Sequence, residues 1–215
     1  MGHQHRCGPA TVAIDVRWTA VADRHPATTY GWVGHLASGE GPGALVVAAP
    51  PAGEPAGGPL MVPGCAVQPV PAGLDPALAC LAAPLAGALA AVSAAPPGPG
   101  EAWLHGYDLA AALTHQVLAR QLPALEVHVV EHRRVPRLVA AAFDGRLHAA
   151  DPDAAVPPAP PAVPAAAAHP FLADAVAFVS AESWRFRPLV TRSFSAAEAK
   201  ARTDADEGLA AVVLS

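Results

Sequence analysis

Lysine is all but missing from this chain: Lys200 is the single example, and lysine and arginine together number 13 against 18 acidic residues. The resulting formal charge of -5 leaves no electrostatic footprint for a polyanion, and no basic cluster exceeds Arg133-Arg134. A nucleic-acid partner is therefore not expected. Cysteine is scarce as well. Cys7, Cys65 and Cys80 are odd in number and far apart, so the sequence offers neither a disulfide framework nor a Cys-x-x-Cys zinc knuckle, and the three read as buried or incidental thiols. Proline and glycine interrupt each apolar run before the roughly 18 residues that a membrane span needs. Met1 to Arg6 is polar and lacks the apolar stretch of a signal peptide. The expectation is a soluble cytoplasmic protein with no membrane attachment.

What the chain has in excess is proline and glycine, 25 and 18 of 215 residues, a share approaching that at which low complexity is the default reading. Yet 53% of the residues are hydrophobic, enough to build a core, although alanine is the largest part of that count and only 5% of the chain is aromatic. Ordered units separated by structureless connectors follow. The connectors fall at Pro50 to Pro59, at Pro96 to Gly100 and in DPDAAVPPAPPAVPAAAAHP, an extended Pro/Ala spacer over 151–170.

Between the connectors the periodicity changes twice. In TVAIDVRWTAV, Val12, Ile14, Val16 and Trp18 alternate with less apolar residues, the period of a half-buried strand. Val33 to Gly41, Ala44 to Ala49 and two short pieces of LMVPGCAVQPV continue a small β unit over residues 1–75. At Asp75-Pro76 the spacing becomes helical through Leu78, Leu81, Leu85, Leu89 and Val92, with Asp75 as N-cap and proline in the first turn. A strand at Ala102 to His105, a helix from Leu109 to Leu122 and a strand at Glu126 to Val130 then form a β-α-β unit with parallel strands. A helix at Arg134 to Ala142 and a brief strand at Arg146 to Ala149 complete residues 76–150. After the spacer, a helix over 171–184 returns to the β unit. Phe186 to Thr191 is expected extended, Ser195 to Arg202 helical and Leu209 to Leu214 a last strand, so that 185–215 completes the β unit. Trp18, Trp184 and Phe186 are expected to pack it.

A strand, a glycine turn, a helix and a strand tipped by an acid form half of a Rossmann dinucleotide site, where glycines let a pyrophosphate lie against the helix amino terminus. The hexapeptide in that place is Gly106-Tyr107-Asp108-Leu109-Ala110-Ala111, which keeps the first glycine and holds Asp108 and Ala111 at the other two. A carboxylate at the second position blocks the backbone and repels a diphosphate, a cost on the order of 1–4 kcal/mol even when partly screened. Glu131 remains suited to a ribose hydroxyl, and Arg133 and Arg134 either meet a 2′-phosphate or lie on an exposed helix. His105, Asp108 and His115 are the acid-base candidates; for the two histidines the alternative is a core or rim position. Ser193 and Ser195 lack any nucleophile-elbow context. His3-x-His5-x-Cys7 is either a copper or nickel ligand set or a disordered terminus.

On the segments VPAGLDPALACLAAPLAGALAAV, PGEAWLHG, EVHVVE, IDVRWTAVADRH and PLVTRSFSAAEAKARTDADEGLAAVVLS, in that family's order apart from gaps, the chain resembles the medium-chain dehydrogenase/reductases, the zinc-type alcohol dehydrogenases and quinone reductases. The resemblance implies an α/β protein: a small GroES-like β unit plus a truncated Rossmann-like parallel sheet of about three strands with helices. It also shows what is lost. Val21-Ala22-Asp23-Arg24-His25 has no cysteine before its Asp-x-His, Gly34-His35-Leu36 lacks the glutamate of the Gly-His-Glu motif, the acidic or thiol position ahead of Pro84-Leu85 is Ala83, and the four-cysteine lobe is absent. His25, His35 and Cys65 are the scattered donors that remain, so no metal site and no zinc are expected; NAD(P)H is expected only under the alternative reading as a divergent reductase, the other alternative being a cofactor-free enzyme using the cleft around His105 and Asp108. The favoured expectation is a non-catalytic accessory or substrate-recognition subunit. Its partners would be a full-length dehydrogenase in a hetero-oligomer, or a second copy in a homodimer, with a peptide as a candidate substrate. Its alanine, proline and arginine content fits a high-GC bacterium, and a biosynthetic setting is a further expectation that does not rest on composition.

Overall fold

The computed structural model describes residues 11–22, 29–38, 41–49, 59–98, 100–105, 108–130, 165–195 and 210–214. Long apolar alternation makes β1 (Thr11–Ala22) the organising strand of the β unit. It pairs antiparallel with β2 (Thr29–Leu36) along its length, with β4 (Leu60–Pro63) at its first half and with β9 (Ala210–Leu214) at its second half. Beyond β2 lie β3 (Leu45–Ala48) and β5 (Val67–Pro69), and beyond β9 lies β8 (Val190–Ser195), parallel to it. The seven strands form one curled sheet, a half-barrel in the order β5-β3-β2-β1-β9-β8 with β4 also on β1.

The curl has a local cause. The register of β1 against β2 shifts between Val16 and Trp18 and again between Ala20 and Val21, and such bulges bend a strand and increase its twist. Gly34 lies opposite the first shift, where a Cβ would collide with the Asp15 carbonyl. β2 starts four residues earlier than the sequence pattern suggests and stops at Leu36, because Gly41 and Gly43, both at positive φ, turn the chain back into β3. One face of the sheet closes over Ile14, Trp32, Val46, Ala48, Leu60 and Val62. The other presents Ala20, Val33, Val47 and Ala49 to the helices.

Those helices start where Asp75 caps α1 (Pro76–Ala79), its Oδ1 accepting the Ala77 N–H at 2.9 Å. A turn at Cys80-Leu81 leads into α2 (Ala82–Ala94). Pro84 is tolerated because it falls in the first turn of α2, where a missing N–H costs little. The run Pro76–Ala94 has a mean hydropathy of 2.0 and is long and apolar enough to cross a membrane by length and composition, contrary to the expectation that proline and glycine break every such run. Two thirds of it, 67%, is buried inside the protein, as befits a core helix. Ala82, Ala83, Leu85, Ala86, Ala88, Leu89, Ala90 and Val92 are all buried, so nearly every side of α2 meets protein.

Against α2 pack α3 (Leu109–Gln121) and, later in the chain, α4 (Ala165–Ala168) and α5 (Leu172–Ala181). α3 connects β6 (Glu101–His105) to β7 (Glu126–Val130), and the two strands are parallel, as expected of a β-α-β unit. Among the described residues this parallel sheet has two strands, β6 and β7. The expected helix at 134–142, the strand at 146–149 and the short helix at 195–202 lie outside the described residues beyond Ser195. Buried residues of β1–β3, α1–α3, α5 and β6–β7 form one continuous core.

Three expectations near the carboxyl end need correction. Within the stretch read as a spacer, Ala165–Ala168 are helical and His169–Phe171 form a 3₁₀ turn, because an alanine run favours helix and Pro170 suits a first turn. The segment after Ser183 is not extended until Val190: α6 (Ser183–Phe186) and a 3₁₀ turn at Arg187–Leu189 come first. Trp184 does not pack the β unit and is 62% exposed. Phe186 is buried edge-on to Phe178 at 5.0 Å, and Trp18 is partly buried against the main core.

Two glycines give opposite predictions. A Cβ at Gly31 would lie 2.6 Å from the Cys80 carbonyl and 3.0 Å from the Ala83 methyl, whereas one at Gly87 meets nothing within 4 Å. Gly31→Ala is expected to destabilise by about 1–3 kcal/mol, and Gly87→Ala, inside α2, to stabilise by roughly 0.5–1 kcal/mol. Urea unfolding midpoints of the two variants check both signs.

Candidate functional site

In a parallel β-α-β unit, ligands meet the carboxyl ends of the strands and the amino end of the crossover helix. Here that place is set by Asp108. Its backbone is extended (φ -77, ψ 179), and its Oδ1 accepts the Ala111 N–H at 2.8 Å, making it the N-cap of α3. A helix amino terminus is electropositive and attracts anions; the chain's own carboxylate already fills that role. Ala111, at the third glycine position, is 6% exposed with its N–H engaged.

The other acid-base candidates do not join Asp108. His115 lies two turns down α3, roughly 10 Å along the axis, and is 1% exposed among core side chains. Its environment is that of a core histidine. His105 ends β6 in register with Val130, and its side chain lies outside the described residues. Gly106, Glu131, Arg133 and Arg134 lie outside them too, as do His3, His5, Cys7 and His25.

The remaining metal candidates are each committed elsewhere. His35 Nδ1 donates to the Gly43 carbonyl at 3.0 Å, in the exposed turn between β2 and β3. Cys65 is held in a disulfide, which corrects its reading as an incidental thiol. Ala83 carries no donor atom, is 4% exposed and packs its methyl toward the Gly31 backbone. Among the described residues, no three His, Cys, Asp or Glu side chains gather to hold a metal ion. Cys80 is a free thiol at 0% exposure. Burial pushes its pKa well above the ordinary 9.0, the charge of Asp75 adds to this, and backbone groups of Ala20 and Val33 only partly oppose it. Ser193 and Ser195 are both exposed on β8.

Two polar clusters escaped the sequence reading. The first covers the face of β6–β7 turned away from the helices. Glu101 pairs with Glu126 and Trp103 with His128 in the parallel register. The Trp103 and His128 rings stack at 4.6 Å, and His128 Nε2 lies 3.5 Å from Glu101 and 4.0 Å from Glu126. The signal was available, since EAWLH laid over EVHVV in register pairs these residues. The second cluster ties α3 to the end of α5. Glu182 bridges Arg185 at 2.7 Å and Arg120 at 3.5 Å, and the Arg120 guanidinium lies 4.2 Å over the Phe178 ring. The i,i+3 spacing of Glu182 and Arg185 suits their pair, but nothing in the spacing foretells the Arg120 contact. Beside it a cavity of about 580 Å³, lined by Leu89, Val92, Leu122, Phe171 and Phe178 among others, opens between α2, α3 and α5. It sits at the carboxyl end of α3, about 20 Å from Asp108 by helix rise, and so belongs to neither the acid-base candidates nor the strand ends.

Two outcomes test this geometry. Asp108→Ala removes the cap and is expected to cost about 0.5–2 kcal/mol, while Asp108→Asn costs far less because an amide oxygen caps equally well; thermal unfolding of both variants separates cap from charge. Because the folded Cys80 thiol resists ionisation while the unfolded one ionises near 9.0, its contribution to stability is intact below that pH and is lost as pH rises beyond it. Accordingly, iodoacetamide at pH 8 should leave Cys80 unmodified in the native protein and label it in denaturant, as read by peptide mass mapping.

No protein-family model matches the chain, and no curated protein matches it in sequence. Solved structures do resemble it. Alcohol dehydrogenase TADH from Thermus sp. ATN1 superposes with a TM-score of 0.68 at 15% identity, covering 100% of this chain and 95% of that one. Glucose dehydrogenase from Haloferax mediterranei gives 0.65 at 14% identity, again over 100% and 95%. The 2R,3R-butanediol dehydrogenase from Bacillus subtilis gives 0.65 at 12% identity over the same shares. One structure of the Haloferax enzyme is a complex with NADP, zinc and gluconolactone. At such identities the likeness concerns architecture: the chain has a dehydrogenase fold.

Proposed function

We propose that this protein is a degenerate medium-chain dehydrogenase that acts without catalysis, as an accessory or substrate-recognition subunit beside an active dehydrogenase. In this reading the half-barrel is a GroES-like unit and β6-α3-β7 is what remains of a truncated Rossmann domain. The observation that carries it is the Asp108 cap, whose carboxylate accepts the Ala111 N–H at 2.8 Å. A dinucleotide pyrophosphate laid against this helix would have to displace that bond and approach a fixed negative charge. The residues at this terminus therefore do not fit a diphosphate.

Zinc fits no better at the positions described. A catalytic zinc needs three protein ligands of nitrogen, sulfur or oxygen with one open position. Ala83 supplies none and is packed toward Gly31, while His35 is turned to Gly43. Loss at both sites beside a retained fold supports a role in binding rather than in redox chemistry. The partners that suit it are a full-length dehydrogenase in a hetero-oligomer or a second copy of this chain, in the cytoplasm of a bacterium, with a peptide as a candidate substrate and biosynthesis as the setting.

Titration with NADH and NADPH, followed by nicotinamide fluorescence, should show no saturable binding to the purified protein. Asp108→Gly should raise whatever dinucleotide affinity remains, because it removes both the side chain and its charge. Tight stoichiometric binding by the unmodified protein would overturn the proposal, and co-purification of an intact dehydrogenase from the native host would supply its positive counterpart.

A further inference from the structure

We draw no further inference here: the strongest candidate, the Glu101, Glu126 and His128 cluster beside Trp103 on the β6–β7 face, consists of side chains that contact one another, and nothing in the structure shows what ligand or partner covers them.

Discussion

The packing of α2 is the constraint on which the rest of the fold depends. This helix is built mainly of alanine with leucine and is buried on nearly all sides, with the curled sheet, α3 and α5 each pressed against it. Alanine contributes little apolar area per residue, so such a helix gains its stability by letting neighbours come close rather than by filling space with large side chains. Gly31 on β2 is the matching half of that contact, since a side chain there would meet the Cys80 carbonyl and the Ala83 methyl. The closeness explains how a chain with 5% aromatic residues holds one continuous core.

The same contact bears on chemistry. Ala83 carries no donor atom, and its methyl serves the packing of α2 on β2. At the other end of the parallel unit, Asp108 serves the amino terminus of α3. Both residues are engaged in contacts within the chain itself. An N-cap and a close-packed methyl are stabilising features that need no ligand, so the fold can persist without one.

Much of the local structure was legible. Asp75-Pro76 announced a capped helix start, and EAWLH, the helix after Asp108 and EVHVV announced a parallel crossover, because caps and periodicity act between residues a few positions apart. The bond from Ala111 to Asp108 was not read, because glycine-loop logic treats that position as facing a ligand. His115 has the residue type of a catalytic acid-base group and the environment of a core residue. Trp184 and Phe186, two residues apart and equally apolar, separate into an exposed ring and a buried one because α6 is a helical turn and not a strand.

By itself the sequence determined the strand and helix character of β1, α2, β6, α3 and β7, the interruption of the glycine pattern and the shortage of cationic side chains, all of which are properties of neighbours in the chain or of composition. Only the tertiary structure decided that residues 210–214 close the half-barrel against β1, that the apolar run 76–94 is an interior helix, that Cys65 is bonded while Cys80 is free, and that Ala83 faces a glycine. Those outcomes depend on burial and shape in the folded chain, and none is written in the spacing of residues along it.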